Sequence, residues 1–183
     1  MYIYKEKTGP WIWVLRVLFT LATVLTIGFI FYNSGQIGEV SGYRSQQVME
    51  FYNSQIAPLL GLPHLTHFYI RKLAHFAEYA IEGFFLMLSL RVYTSRFIRH
   101  ISWPALIGLL TALTDETLQK YMAGRTSQVT DVWIDSLGLC AGMGLALLLL
   151  LLFLGVERII FGVKKTHFKN IEEIQAFEEE REQ

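Results

Sequence analysis

Trp11 to Phe31 is a run of 21 residues interrupted by one charge, Arg16, and at about 1.5 Å per residue it is long enough to cross a hydrocarbon core of about 30 Å. Three more apolar runs follow, at about 70–92, 103–121 and 132–153, the last closing in a leucine-rich tract that reads as lipid-facing. Four such runs constrain the chain to an all-α, polytopic membrane protein with four transmembrane helices. Composition agrees: 52% of residues are hydrophobic and 17% charged, against about 25% charged in an ordinary soluble domain. A cleaved leader would need a shorter apolar run and a small-residue cleavage site, so the first run is expected to be retained. The lone cysteine, Cys140, excludes a disulfide framework within one chain.

Between the first two spans, Val48, Phe51, Tyr52, Ile56 and Leu59 recur at helical spacing, with Ser41, Arg44, Gln46 and Gln47 assigned to water. This predicts a short amphipathic interfacial helix, ended by Pro58, Gly61 and Pro63. Residues 1–155 are expected to form the transmembrane domain and 156–183 a tail, where Ile171, Ile174 and Phe177 suggest a further helix. There is no internal repeat.

Lys and Arg accumulate on the cytoplasmic side of membrane proteins. The N-terminus, the loop after the second span and the C-terminus together carry eleven: Lys5, Lys7, Arg16, Arg91, Arg96, Arg99, Arg158, Lys164, Lys165, Lys169 and Arg181. The other side carries five: Arg44, Arg71, Lys72, Lys120 and Arg125. Both termini are therefore expected in the cytoplasm, with the acidic region between the third and fourth spans facing outward.

That region, Thr114 to Gly144, is richer in ionisable groups than a membrane ordinarily admits. Asp131, Asp135, Gly138, Gly142 and Ala146 share one helical face, and Gly108, Ala112, Asp115 and Gln119 another. Small residues let helix backbones approach in lipid, so the third and fourth spans are expected to join along these stripes and bring their acids together. On the second span Lys72, His75, Tyr79 and Glu82 form a polar line, with Glu78 one position off it. Counting from Arg71, Glu82 lies roughly 16 Å into the layer, where an acid costs at least about 2.5 kcal/mol unless paired, hydrated or neutral.

Two uses of these groups compete. Arg71, Lys72 and Arg125 would lock the helices by pairing with Glu78, Asp115, Glu116 and Asp131, with Arg125 gripping a carboxylate through its two-pronged guanidinium. Alternatively the groups line a functional pocket. A metal site from His75 with Glu78, Asp115, Glu116 or Asp131 is chemically open, although no motif sets the ligand count. Acid–base chemistry by His75 and a carboxylate is equally open. No nucleophile elbow or phosphate loop is present, and no cofactor is assigned.

KLAHFAEY, then TDETLQKYMAGR, then TDVWIDSLGLCAG, with the polar NSGQ after the first span, resembles the ordered motifs of the VanZ-like membrane proteins over about residues 33–143. The resemblance implies a bacterial integral membrane protein of the cell envelope, in a family whose founding member is associated with resistance to the glycopeptide teicoplanin. It points to Lys72, His75, Glu78, Tyr79, Asp115, Glu116, Gln119, Gly124, Arg125, Asp131 and Gly138. Three positions depart from the family pattern: Asp135 where Asn is expected, Ala123 where Pro is frequent, and Glu82 where an apolar residue is usual. Glu82 and Asp135 add acid to the expected binding pocket. The expected function is binding of a lipid headgroup or envelope component, altering how glycopeptides meet the cell surface. The alternatives are a membrane enzyme hydrolysing or transferring a group on a lipid or lipid-linked wall precursor, with His75, Glu78, Asp115 and Asp131 as acid–base or metal groups, and a structural partner protein. Membrane lipids, a lipid-linked envelope component or a glycopeptide are the expected partners, and nucleic acid is not.

Overall fold

The computed structural model of the protein describes residues 9–126 and 128–181, with side chains up to residue 156. Lys5 and Lys7, and the side chains of Arg158, Lys164, Lys165, Lys169, Ile171, Ile174, Phe177 and Arg181, lie outside the described residues. Every regular element described is helical, with no strand among the described residues. The elements are α1 (Pro10–Ser34), α2 (Gly38–Phe51), a π-helical turn (Tyr52–Ile56), α3 (Ala57–Leu60), α4 (His67–Tyr93), a 3₁₀ turn (Phe97–His100), α5 (Ser102–Lys120) and α6 (Val129–Arg181). Four helical stretches are long and apolar enough to span a membrane: Pro10–Ser34, His67–Tyr93, Phe97–Lys120 and Val129–Val156. The protein is thus a multi-pass membrane protein, with apolar side chains such as Leu21, Leu25, Ile81, Leu110 and Leu148 on its outside. By contacts the chain divides into a unit ending at Ala146 and one beginning at Leu147, the latter the remainder of α6.

Local chemistry sets the ends of the helices. Pro10 opens α1, where its missing N–H would be unpaired anyway. The segment after α1 is helical as its spacing predicts, but Pro58 does not end it. Pro58 sits in the first turn of α3, directly after the π turn. A proline nitrogen cannot donate to the carbonyl one turn back, and the hydrogen-bonding register widens there. The stop comes at Gly61, whose φ of 65° is left-handed backbone that glycine adopts without strain. Asn53 then ties this segment down, donating to the Leu65 carbonyl at 2.9 Å and accepting from the Leu65 N–H at 2.8 Å.

α1 runs along α4. At one end Thr23 meets Ser89 at 3.1 Å and Arg16, the charge inside the first run, donates from Nε to the Val92 carbonyl at 2.9 Å. The Arg16 guanidinium also lies over the rings of Trp13 and Tyr93, at 5.1 and 5.3 Å. A carbonyl at a helix end and two ring faces accommodate this cation without a carboxylate.

The small-residue stripe of α6 is buried as expected, and its acid Asp135 does come near the α5 acids, but its glycines Gly138 and Gly142 pack on α4 and not on α5. A Cβ on Gly138 would overlap the Phe76 carbonyl, and one on Gly142 the Ala80 carbonyl, while Gly83 of α4 receives the Leu139 backbone of α6. Gly108 of α5 instead accommodates the Leu139 side chain. The reason is reciprocal. α4 carries its own small residues, Ala80 and Gly83, at matching height, so its backbone comes closest, and α5 meets α6 through a leucine.

Candidate functional site

Polar groups of four helices come together: the last turn of α1, α4 from Lys72 to Glu82, the last turns of α5 and the first turns of α6. Each delivers polar groups because its own periodicity puts them on the inward face. Asp115, Gln119, Glu82, Tyr79 and Asp135 are all 0% exposed, and Glu116 and Asp131 are 5% exposed. So much buried acid inside a membrane-spanning bundle requires partners, since each lone carboxylate would cost at least about 2.5 kcal/mol.

The partners differ from acid to acid. Asp115 accepts hydrogen bonds from the Ser34 hydroxyl and, at 3.1 Å, from the Tyr79 hydroxyl. His75 Nδ1 lies 3.2 Å from Asp135 Oδ1 and 3.9 Å from Asp115 Oδ2. Lys72 pairs with Asp131. Glu78 accepts from the Asn33 amide at 2.8 Å, and Glu116 from the Gln128 backbone N–H at 3.2 Å. Neither oxygen of Glu82 nor Oδ2 of Asp135 has a hydrogen-bond partner, and the Thr111 hydroxyl beside Glu82 gives its proton to the Ile107 carbonyl.

Of the expected ion pairs, Lys72 with Asp131 forms. Arg125 is used otherwise. Its guanidinium donates to the Ser34 carbonyl at 3.4 Å and to the Ser41 hydroxyl at 2.6 Å, so its fork joins α1 to α2 where a carboxylate grip was expected. The reason lies in the loop before α6, where Gly124 has φ of 73° and the Gly38 N–H donates to the Ala123 carbonyl at 2.9 Å. A Cβ on Gly38 would overlap the Gly124 carbonyl. The start of α2 is therefore pressed against this loop, and Arg125 points along α2. Burial and the neighbouring Arg71 pull its basicity below the ordinary arginine value, with Asp115, Glu78 and Glu116 opposing; a guanidinium stays charged throughout.

A cavity of about 430 Å³ opens beside this cluster. It is lined by His75, Glu78, Gln119 and Ser34 and by three arginines, Arg44, Arg71 and Arg125. One wall is α2 and the π turn, presenting Ser41, Arg44, Ser45, Val48, Tyr52 and Ile56 at helical spacing. Val48, Tyr52 and Ile56, from the apolar set of this segment, line the cavity. Ser41 and Arg44 were expected to face water. Arg44 and Ser41 lie four and seven residues before Val48 on the same stripe and line the cavity too, and Leu59, counted with the apolar set, is 82% exposed. A second cavity, about 190 Å³, is lined by His67, Arg71, Lys72, His75 and Asp131 among others. His75 therefore borders both.

Among the candidates for a metal site, His75, Asp115 and Glu116 are brought together, and Asp135 completes the group. Glu78 is held by Asn33 and Asp131 by Lys72. Ser34, Asn33 and Arg44 were not singled out as site residues. The signal available for Ser34 and Asn33 was the polar NSGQ that ends an otherwise apolar run.

A family model described as VanZ/LLP1 matches residues 19–152, which include every site residue above. No curated protein and no solved structure matches the chain.

Proposed function

We propose that the chain, which belongs to the VanZ/LLP1 family, is a bacterial membrane protein whose outward-facing cavity binds a lipid headgroup or lipid-linked envelope component. Occupancy of that cavity alters how teicoplanin-type glycopeptides meet the cell surface. Both termini are cytoplasmic, as the eleven-to-five division of basic residues implies.

The observation that carries this reading is the change of polarity along one cavity wall. Ser41, Arg44 and Ser45 give way to Val48, Phe51 and Ile56 within one helical segment. An amphiphile with an anionic head suits such a wall: Arg44, Arg71 and Arg125 meet the head, and its chain lies along the apolar half. Arg125, whose side chain lines the cavity, has no hydrogen-bond partner for its Nε.

The test is native mass spectrometry of gently extracted protein, with phosphatidylglycerol added back after delipidation. A retained anionic lipid, lost in an Arg44→Ala, Arg71→Ala double variant, is the expected result. Equal retention by parent and variant overturns the assignment of the arginines, and the absence of any retained or rebound lipid overturns the binding reading. Cells carrying the parent chain are expected to differ in teicoplanin susceptibility from cells carrying the double variant.

One observation favours a second reading, a membrane enzyme acting on a lipid-linked precursor. His75 lines the cavity with carboxylates at 3.2 and 3.9 Å, as a general base with an orienting partner would. Turnover of extracted envelope lipids that disappears in His75→Gln selects the enzyme, and retention without turnover selects the binder.

A further inference from the structure

His75, Asp115, Glu116 and Asp135 each offer one donor atom, and the four atoms all lie within 4.8 Å of one another. Two ligands on opposite sides of one ion stand about 4.2 Å apart when each bond is ~2.1 Å. Neighbouring ligands of a tetrahedral ion stand about 3.4 Å apart, so the most widely spaced donors would have to close by about 0.6–1.4 Å to share an ion. The two spacings from His75 Nδ1, 3.2 Å to Asp135 and 3.9 Å to Asp115, already fall inside the opposite-ligand spacing.

Proximity of acids alone points to no ligand. Asp135 does, because it is fully buried and its Oδ2 has no hydrogen-bond partner while its Oδ1 faces His75. Among the described residues the only ion-pair partner of Asp115 and Asp135 is His75. One imidazole cannot neutralise two enclosed carboxylates. The nearest fixed cations are engaged elsewhere, Lys72 on Asp131 and Arg125 on Ser34 and Ser41. The surroundings also orient the donors as an outer shell would: hydroxyls of Ser34 and Tyr79 donate to Asp115, and the Gln128 N–H donates to Glu116.

From this geometry we infer that His75, Asp115, Glu116 and Asp135 bind one divalent first-row transition ion, of the Mn²⁺, Fe²⁺ or Zn²⁺ type, beside the cavity that His75 lines. Imidazole with carboxylates suits these ions, whereas Ca²⁺ takes about six to eight oxygens and Mg²⁺ keeps most of its water. Three helices supply the ligands, α4, α5 and α6, so the ion also ties the polar end of the bundle together. The site does not depend on the lipid reading, since its occupancy is measured without lipid.

The test uses the full chain in detergent, delipidated, stripped with EDTA and titrated with Mn²⁺ and separately with Zn²⁺. The expected result is one ion per chain, with electron spin-echo modulation from one imidazole nitrogen in the Mn²⁺ form. The Tm rises by about 5–10 °C at a hundredfold excess over Kd. His75→Gln removes the nitrogen modulation, Asp135→Asn weakens binding by about tenfold or more, and Glu50→Gln, at an exposed position on α2, changes neither. If Asp135→Asn does not fold, the stoichiometry and nitrogen signal of the parent and of His75→Gln still decide. Failure of both ions to bind stoichiometrically overturns the inference, as does binding that both site variants leave unchanged. Protein that binds the ion but no lipid overturns the lipid reading alone, and the converse overturns only the metal site.

Discussion

Glu78 and Glu82 stand one helical turn apart on α4 and meet opposite surroundings. Glu78 accepts from the Asn33 amide at 2.8 Å, and Asn33 in turn accepts from Arg44 at 3.3 Å, so its charge is used in a chain of donors linking α4, α1 and α2. Glu82 is fully buried, has no hydrogen-bond partner, and has Asp115 and Asp135 as its charged neighbours. An anion at Glu82 would be repelled by those acids and desolvated by the bundle, with only the neighbouring Thr111 hydroxyl to favour a charge. Replacing it by the uncharged amide of similar shape should cost little, whereas the same change at Glu78 removes a charge-assisted hydrogen bond worth about 1.5–3 kcal/mol. Expression level and Tm of Glu82→Gln and Glu78→Gln, measured in one detergent, are expected to show the first close to the parent and the second lower. A severely unstable Glu82→Gln beside a normal Glu78→Gln would reverse the assignment of which acid carries charge.

Among the elements, α4 and α6 are held by close backbone approach, and glycines on the same helix differ accordingly. A methyl group on Gly142 would run into the Ala80 carbonyl, while one on Gly144 meets nothing within 4 Å. Gly142→Ala therefore forces the helices apart, at a cost of about 1–3 kcal/mol for overpacking. Gly144→Ala adds helix propensity on an open face and should be neutral or stabilising by up to about 1 kcal/mol. Thermal unfolding of the two variants checks this, and equal Tm values would mean that the α4–α6 contact is looser than described. Helical faces within each element were legible from spacing, down to the buried Asp131, Asp135, Gly138, Gly142 and Ala146. The partner of that face was not. A stripe of small residues states that something comes near, but which helix comes near depends on where another chain segment has small residues at the same height.

At the scale of the whole molecule, the buried acids among the described residues, Glu82 at mid-helix apart, lie toward one end of the bundle, so orientation in the membrane decides which compartment the cavity meets. Cysteine introduced at exposed Thr126, in a background with Cys140→Ser, is expected to react with an impermeant thiol reagent from outside intact cells. Cysteine at exposed Ser95 is expected to react only after the cells are opened. The opposite pattern would place the cavity toward the cytoplasm and remove any direct role at the outer surface. The wager behind this test is the distribution of Lys and Arg, which acts during insertion through the chain's flanks.

What the sequence determined by itself follows from local rules. Apolar length specifies four spans, since backbone polar groups in lipid must be satisfied within the segment, and the helical period puts His75, Tyr79, Glu82, Asp115, Gln119, Asp131 and Asp135 on inward faces. Tertiary structure alone decided how those groups were shared out. Asp131 went to Lys72 and Glu78 to Asn33, leaving His75 with Asp135 and Asp115. It also turned Arg125 toward Ser34 and Ser41 and set Ser41 and Arg44 into the cavity wall. Each of these outcomes depends on the rotation and depth of one helix against another. Those are settled by where backbones can touch, at Gly38 on Gly124, Gly83 on Leu139 and Gly142 on Ala80, between residues far apart in the chain, and no period within a single helix records them.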